Sequence, residues 1–162
     1  TVWAFVFVLA MVSVIAAQNK VSGTLQCAKR DPQQVIEVGD RANHALAVEQ
    51  VKCTWTKPME IAGIQSKEGV STSSGELSGK MFRSTGYHVS TMSNGDKAFV
   101  HYRGSATMKE GKPESAEGTW SYTGGTGKLK GIKGKGTFKG TPSADGGFTY
   151  EVEGEYELPP SK

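Results

Sequence analysis

Residues 133–158 read KGKGTFKGTPSADGGFTYEVEGEYEL. From 148 onward, Phe148, Tyr150, Val152, Gly154, Tyr156 and Leu158 form one alternate set. Thr149, Glu151, Glu153, Glu155 and Glu157 form the other. Successive side chains of a strand point to opposite faces, so this period of two predicts one buried and one wet face. The segment before it answers in kind: Gly134, Gly136, Phe138 and Gly140 alternate with Lys133, Lys135, Thr137, Lys139 and Thr141. PSADGG at 142–147 supplies the turn. Folding one segment on the other sets Lys139 opposite Glu151, Lys135 opposite Glu155 and Lys133 opposite Glu157. Phe138 then lies beside Val152, and Gly136 beside Gly154. The outer face becomes a ladder of opposite charges, each pair worth roughly 0.2–1 kcal/mol.

Working outward, Asn94-Gly95 separates two more alternating runs. Asn-Gly is the preferred centre of a two-residue type I′ turn. That turn predicts Tyr87 opposite Tyr102, Val89 opposite Val100, His88 opposite His101 and Gly86 opposite Arg103. The core face would then hold Tyr87, Val89, Ala98, Val100, Tyr102 and Ala106. Further strands are expected at 21–28, 34–38, 44–56, roughly 61–80 and 115–123. The total is seven to nine. The 21 glycines are spread along the chain rather than clustered. Several alternate with large aromatics on one face: Gly118 with Trp120, Gly136 with Phe138, Gly154 with Tyr156. Small barrels alternate small and large interior residues to fit their taper, and closure removes exposed edges.

Residues 2–17, VWAFVFVLAMVSVIAA, carry no charge. The run is short for a membrane span, which needs about 20 apolar residues. An apolar stretch ending in small residues reads as a secretory signal peptide, here without its charged start. We therefore expect a signal helix over 1–17, a single domain over 18–162, secreted or periplasmic location, and no stable membrane anchor. In an oxidising compartment Cys27 and Cys53 can bridge, and a disulfide between them is expected. Neither cysteine has His or Asp at ligand spacing, so no zinc site is expected. The formal net charge of +3 is mild and makes no case for nucleic acid.

At 120–140 the chain reads WSYTGGTGKLKGIKGKGTFKG. With Gly-Gly-Thr-Gly at 124–127, then Leu129 and Gly131, this stretch resembles the allene oxide cyclase and dirigent barrel superfamily. The chain also resembles uncharacterised secreted bacterial proteins with the same motif. In those families the stretch joins neighbouring strands of an eight-stranded barrel. The resemblance implies an all-β, calycin-like antiparallel barrel of about eight strands, an apolar cavity and often a homo-oligomer. Family members use acidic groups in or near the cavity. None of those positions can be matched here, so the resemblance transfers no catalytic residue.

Several residue groups invite a function. Lys128, Lys130, Lys133, Lys135 and Lys139 form a basic run, read here as a solvated ladder. His88 and His101 would form a cross-strand imidazole pair, without a third metal ligand. Glu37, Asp40 and His44 could form an acid–base set, or simple turn chemistry. Arg103 reads as a surface residue over open backbone. Glu49 shares a face with Val51, Cys53 and Trp55, where burial would favour its protonated form. It is the candidate catalytic acid; the alternatives are a strand bulge that turns it outward or a buried partner such as an arginine. Tyr87, Tyr102, Trp120, Tyr122 and Phe138 are the candidate lining for a small apolar ligand. The functional expectation is a small-molecule binder needing no cofactor. The alternatives are a cyclase-like isomerase acting through Glu49 and a filled structural barrel. Either ligand reading calls for a cavity of roughly 300 Å³ or more.

Overall fold

A computed structural model describes residues 19–160. The expected signal helix lies outside the described residues. Ten strands form: β1 (Asn19–Cys27), β2 (Gln33–Glu37), β3 (His44–Lys57), β4 (Glu60–Ile61), β5 (Ile64–Ser78), β6 (Met81–Met92), β7 (Lys97–Lys109), β8 (Lys112–Gly125), β9 (Lys133–Pro142) and β10 (Phe148–Glu157). A 3₁₀ turn spans Gly127–Leu129. Pairing runs β3-β1-β10-β9-β8-β7-β6-β5, and β5 returns to β3. The result is a closed eight-stranded antiparallel barrel. β2 and β4 are additions on its ends. The segment expected as one strand near 61–80 is broken by a turn at Ala62-Gly63, both with positive φ.

The C-terminal hairpin has the register its charge pattern dictates. Lys139 faces Glu151, Lys135 faces Glu155, Phe138 faces Val152 and Gly136 faces Gly154. The five lysines of the basic run are exposed. Leu129, from the Gly-rich motif, is fully buried and joins Met59, Ile61, Met92, Ile132 and Trp120 in plugging one end.

The Asn94 hairpin departs from expectation by one residue. Tyr87 lies opposite His101, His88 opposite Val100, Val89 opposite Phe99 and Gly86 opposite Tyr102. Gly95 takes φ +87°, whereas Asn94 keeps a negative φ, and the Gly95 N–H donates to the Met92 carbonyl. A type I′ turn needs positive φ at both centres. Here Ser93-Asn94-Gly95 makes a three-residue loop instead. Asp96 holds that loop, taking a bond from the Asn94 side-chain amide and another from the Lys128 N–H. A slip of one residue turns a whole strand over. β6 therefore sends Ser84, Gly86, His88 and Ser90 inward. Tyr87, expected inside, is 59% exposed on the outer face.

Inside the barrel, several large rings lie over glycine on neighbouring strands. A Cβ on Gly136 or Gly154 would strike the Trp120 indole; one on Gly118 or Gly104 would strike Phe138. Gly86 makes room for the Tyr102 hydroxyl, Gly69 for the His88 ring and Gly140 for Tyr150. Trp120 is held further by its Nε1–H, which is 3.2 Å from both the Thr137 and the Glu153 carbonyl oxygens. Replacing Gly136 by Ala would set a Cβ 2.0 Å from the Glu153 carbonyl oxygen and 2.6 Å from the indole. Overpacking of this kind costs typically 1–3 kcal/mol. Gly136→Ala is expected at the upper end of that range, read as a lower denaturant midpoint at unchanged slope.

β1 and β2 run along the same edge of β3, Cys27 facing Cys53 and Gln33 facing Glu49. Residues 28–32 between them bulge, tied back by Ala28 N–H to Lys52 O and Asp31 N–H to Gln50 O. Cys27 and Cys53 are disulfide-bonded, as expected. Beyond the barrel the β2–β3 ribbon exposes Val35, Ile36, Val38, Leu46 and Val48.

Candidate functional site

The interior holds a partly open cavity of about 150 Å³. Its two sides differ in chemistry. Trp120, Tyr122, Phe138 and Val152 line an apolar side contributed by β8, β9 and β10. Their rings pack edge to face: Trp120 with Tyr122 at 5.0 Å, Tyr102 with Phe138 at 6.2 Å and Phe138 with Tyr150 at 5.7 Å between centroids. Burial pushes the Tyr150 phenol up to about 12 and raises that of Tyr122 as well. These phenols stay protonated and neutral at any ordinary pH.

The opposite side is a polar strip. Glu49 is 9% exposed. Its Oε1 accepts from Arg30 Nε at 2.8 Å and from the Ser73 hydroxyl at 3.4 Å, and its Oε2 from Gln33 Nε2 at 3.2 Å. The bulge at 28–32 is what carries Arg30 to this point. Glu49 faces inward, and of the readings open to it, an interior functional acid, an outward-turning bulge or a buried partner such as an arginine, the structure shows the arginine. Its partner comes from a loop with no periodicity to betray it.

Further along the strip, Ser73, Gly86 and Tyr102 share one cross-strand row. Gly86 lacks a side chain, so the Tyr102 hydroxyl reaches over it to Ser73 and Ser71. Burial raises the Tyr102 pKa, and hydrogen bonds from Ser73 and Ser71 partly offset it. The Ser71 hydroxyl lies 2.8 Å from His88 Nδ1. His88 is 7% exposed, and burial lowers its pKa to about 4. No protein group bonds its Nε2. His88, Ser71 and Ser90 were absent from the expected lining, because an apolar-inside rule assigns serine and histidine to water.

Of the expected lining residues, Tyr102, Trp120, Tyr122 and Phe138 face the cavity and Tyr87 does not. The expected imidazole pair is split by the wall. His101 stacks outside on Tyr87, rings 5.1 Å apart, and bonds Thr85. Arg103 faces Thr85 rather than Gly86 and is exposed. Asp40 and His44 meet at the β2–β3 turn, where His44 also reaches Glu76 at 2.9 Å. The Asp40 bond raises the His44 pKa, and the same bond lowers that of Asp40. Glu37, Asp40 and His44 do not line the cavity. Among the described residues no cluster of three His, Cys, Asp or Glu could hold a metal ion. No helix among them is long and apolar enough to cross a membrane.

No family model matches this chain, and no curated protein matches it. Among solved structures it is similar to a pterocarpan synthase dirigent protein, with a TM-score of 0.50 and 13% identity. That match covers 96% of this chain and 100% of the other. It is also similar to a conserved protein of unknown function from Rhodopseudomonas palustris, at TM-score 0.48 and 7% identity, over 87% and 99% of the two chains. At the identity of the dirigent match the likeness is one of architecture: together with the closed eight-strand pairing it shows that this chain has a closed antiparallel barrel fold like that of the dirigent protein.

Proposed function

We infer that this protein is an exported binder that takes one small, largely apolar molecule into its barrel. The observation that carries this reading is the space of about 150 Å³ between an aromatic side and a polar strip. It is half the volume that the sequence reading called for, and it lies below the usual range of about 300–1,000 Å³ for drug-sized ligands. A dry apolar cavity of about 150 Å³ accommodates benzene. The occupant is therefore on the scale of a single ring. The disulfide supports export, since such bonds persist in oxidising compartments.

Binding is favoured over a cyclisation through Glu49. Both oxygens of that carboxylate already hold protein partners, and its ion pair with Arg30 accounts for it as a structural charge. Native mass spectrometry of protein purified from its host is expected to show a small adduct that is lost on unfolding. A bare mass, together with no uptake of methylcyclohexane by NMR titration, removes the reading.

A further inference from the structure

The sheet begins at β2, which pairs with β3 on one side and with no strand on the other. Val38 N–H donates to the His44 carbonyl, and Gln50 N–H donates to that of Pro32. Along an antiparallel ladder, bonded and non-bonded residue pairs alternate. Gln34 and Ile36 therefore bond to β3, as Val38 does. The N–H and C=O groups of Gln33, Val35 and Glu37 point to the open side. All of β2 is exposed, Val35 by 54% and Ile36 by 59%. None of its residues lines the cavity.

An open edge is a template for a further strand, and proteins blunt such edges with lysine, proline or very short strands. This chain does so elsewhere. β4 has two residues. β9 pairs with β8 from Ala116 onward, and the stretch of β8 before that point is Lys112-Pro113-Glu114-Ser115. β2 reads Gln-Gln-Val-Ile-Glu, with neither lysine nor proline and with two aliphatic residues near its centre.

The strand that fits this edge is its own copy. We propose that the protein forms a two-fold dimer through β2, with Val35 on the axis. Antiparallel pairing then sets Val35 against Val35, and Gln33 of each copy against Glu37 of the other. Each bonded pair exchanges two hydrogen bonds, so three pairs give six and every open N–H and C=O is used. A shift of two residues either way leaves one bonded pair unmade. Like charges do not meet, since Glu37 lies against the Gln33 amide. On the outer face Ile36 comes beside Gln34, and the apolar patch of Ile36, Val38, Leu46 and Val48 runs on from one copy to the next. One short strand a side buries less than the ~800 Å² per partner of a standard interface. The dimer is therefore weak, with a Kd on the order of 10⁻⁵ M.

Sedimentation velocity from about 1 to about 500 µM is expected to show monomer giving way to dimer near that Kd. Val35→Pro removes both bonds on the axis and spares every bond to β3, because the Val35 N–H points away from β3. This variant should stay monomeric throughout, with an unchanged unfolding midpoint. If it fails to fold, Val35→Lys takes its place by setting two like charges face to face. Cysteine reads the register. Bonded antiparallel pairs hold their Cα atoms about 5.5 Å apart, within reach of a disulfide. Val35→Cys should cross-link to itself under mild oxidation at least tenfold faster than Gln34→Cys. A chain that stays monomeric, its edge left to another protein's strand, overturns the proposal. So does a dimer that survives the Val35 variants, or equal cross-linking at the two positions.

Discussion

With Cys27 and Cys53 both replaced by alanine, the barrel is expected to lose about 3–4 kcal/mol of unfolding free energy. The bond ties residues 26 apart in sequence, and the chain-entropy account of a loop that size gives this magnitude. The position adds to the argument. The barrel closes where β1 meets β3, and those strands are joined only over Thr24–Cys27, with a register shift inside that stretch. Beyond Cys27 the chain bulges away toward Arg30. The bond thus clamps the shortest join in the barrel, at the point where it ends. Denaturant midpoints of oxidised protein, reduced protein and the double variant are the measurement. Reduced protein and the variant should fall together. A double variant within about 1 kcal/mol of the oxidised protein would show the closure to hold without the bond.

Acid provides the second large effect. His88 has a folded pKa near 4, against an ordinary value of 6.5, because burial disfavours its charged form. A depressed folded pKa means that the unfolded chain takes up the proton first. Stability is therefore intact above pH 6.5 and declines as pH falls toward 4, by up to about 3 kcal/mol in all. Among the described residues no charged group offsets that burial, and Glu49 is paired with Arg30. His44 works the other way: its raised pKa adds stability below 6.5, lost as pH rises through the folded value. Asp40 and Asp145, with lowered pKa values, act only below the ordinary carboxylate range. Unfolding free energies of wild type and His88→Leu, compared from pH 7 to pH 4, isolate the term. The variant should show a shallower decline; parallel curves would mean that His88 takes up its proton without unfolding the barrel.

What could be read without coordinates follows from how strongly a pattern excludes its alternatives. In 133–158, slipping the pairing by one residue would bury a row of glutamates. Register, faces and turn were all legible there. At Asn94 the same turn signal serves two loop lengths that differ by one residue. What chose between them was Asp96, through its bonds to Asn94 and to Lys128, a residue 32 positions away. The rule that apolar residues point inward then compounded the slip, since on β6 it preferred Tyr87 and Val89 to His88 and Ser90. A strand whose inner face is deliberately polar looks inside-out to that rule. An arginine holding Glu49 was legible as one alternative, but not that the arginine is Arg30: its place depends on a bulge between two collinear strands, and no local repeat marks it. The cavity wall therefore emerged half-read: its aromatic side was placed inward but for Tyr87, and of its hydrophilic side only Glu49 was foreseen there.

The glycines under the rings give the chamber an unusual inheritance. Its outline is recorded in positions that hold no side chain at all. An alanine at Gly118 would lift Phe138 off its bed, and one at Gly69 would do the same to His88. Remodelling the hollow need not touch any side chain that lines it. Lineages of such a protein could retune what fits by editing the floor beneath the furniture, one methyl group at a time.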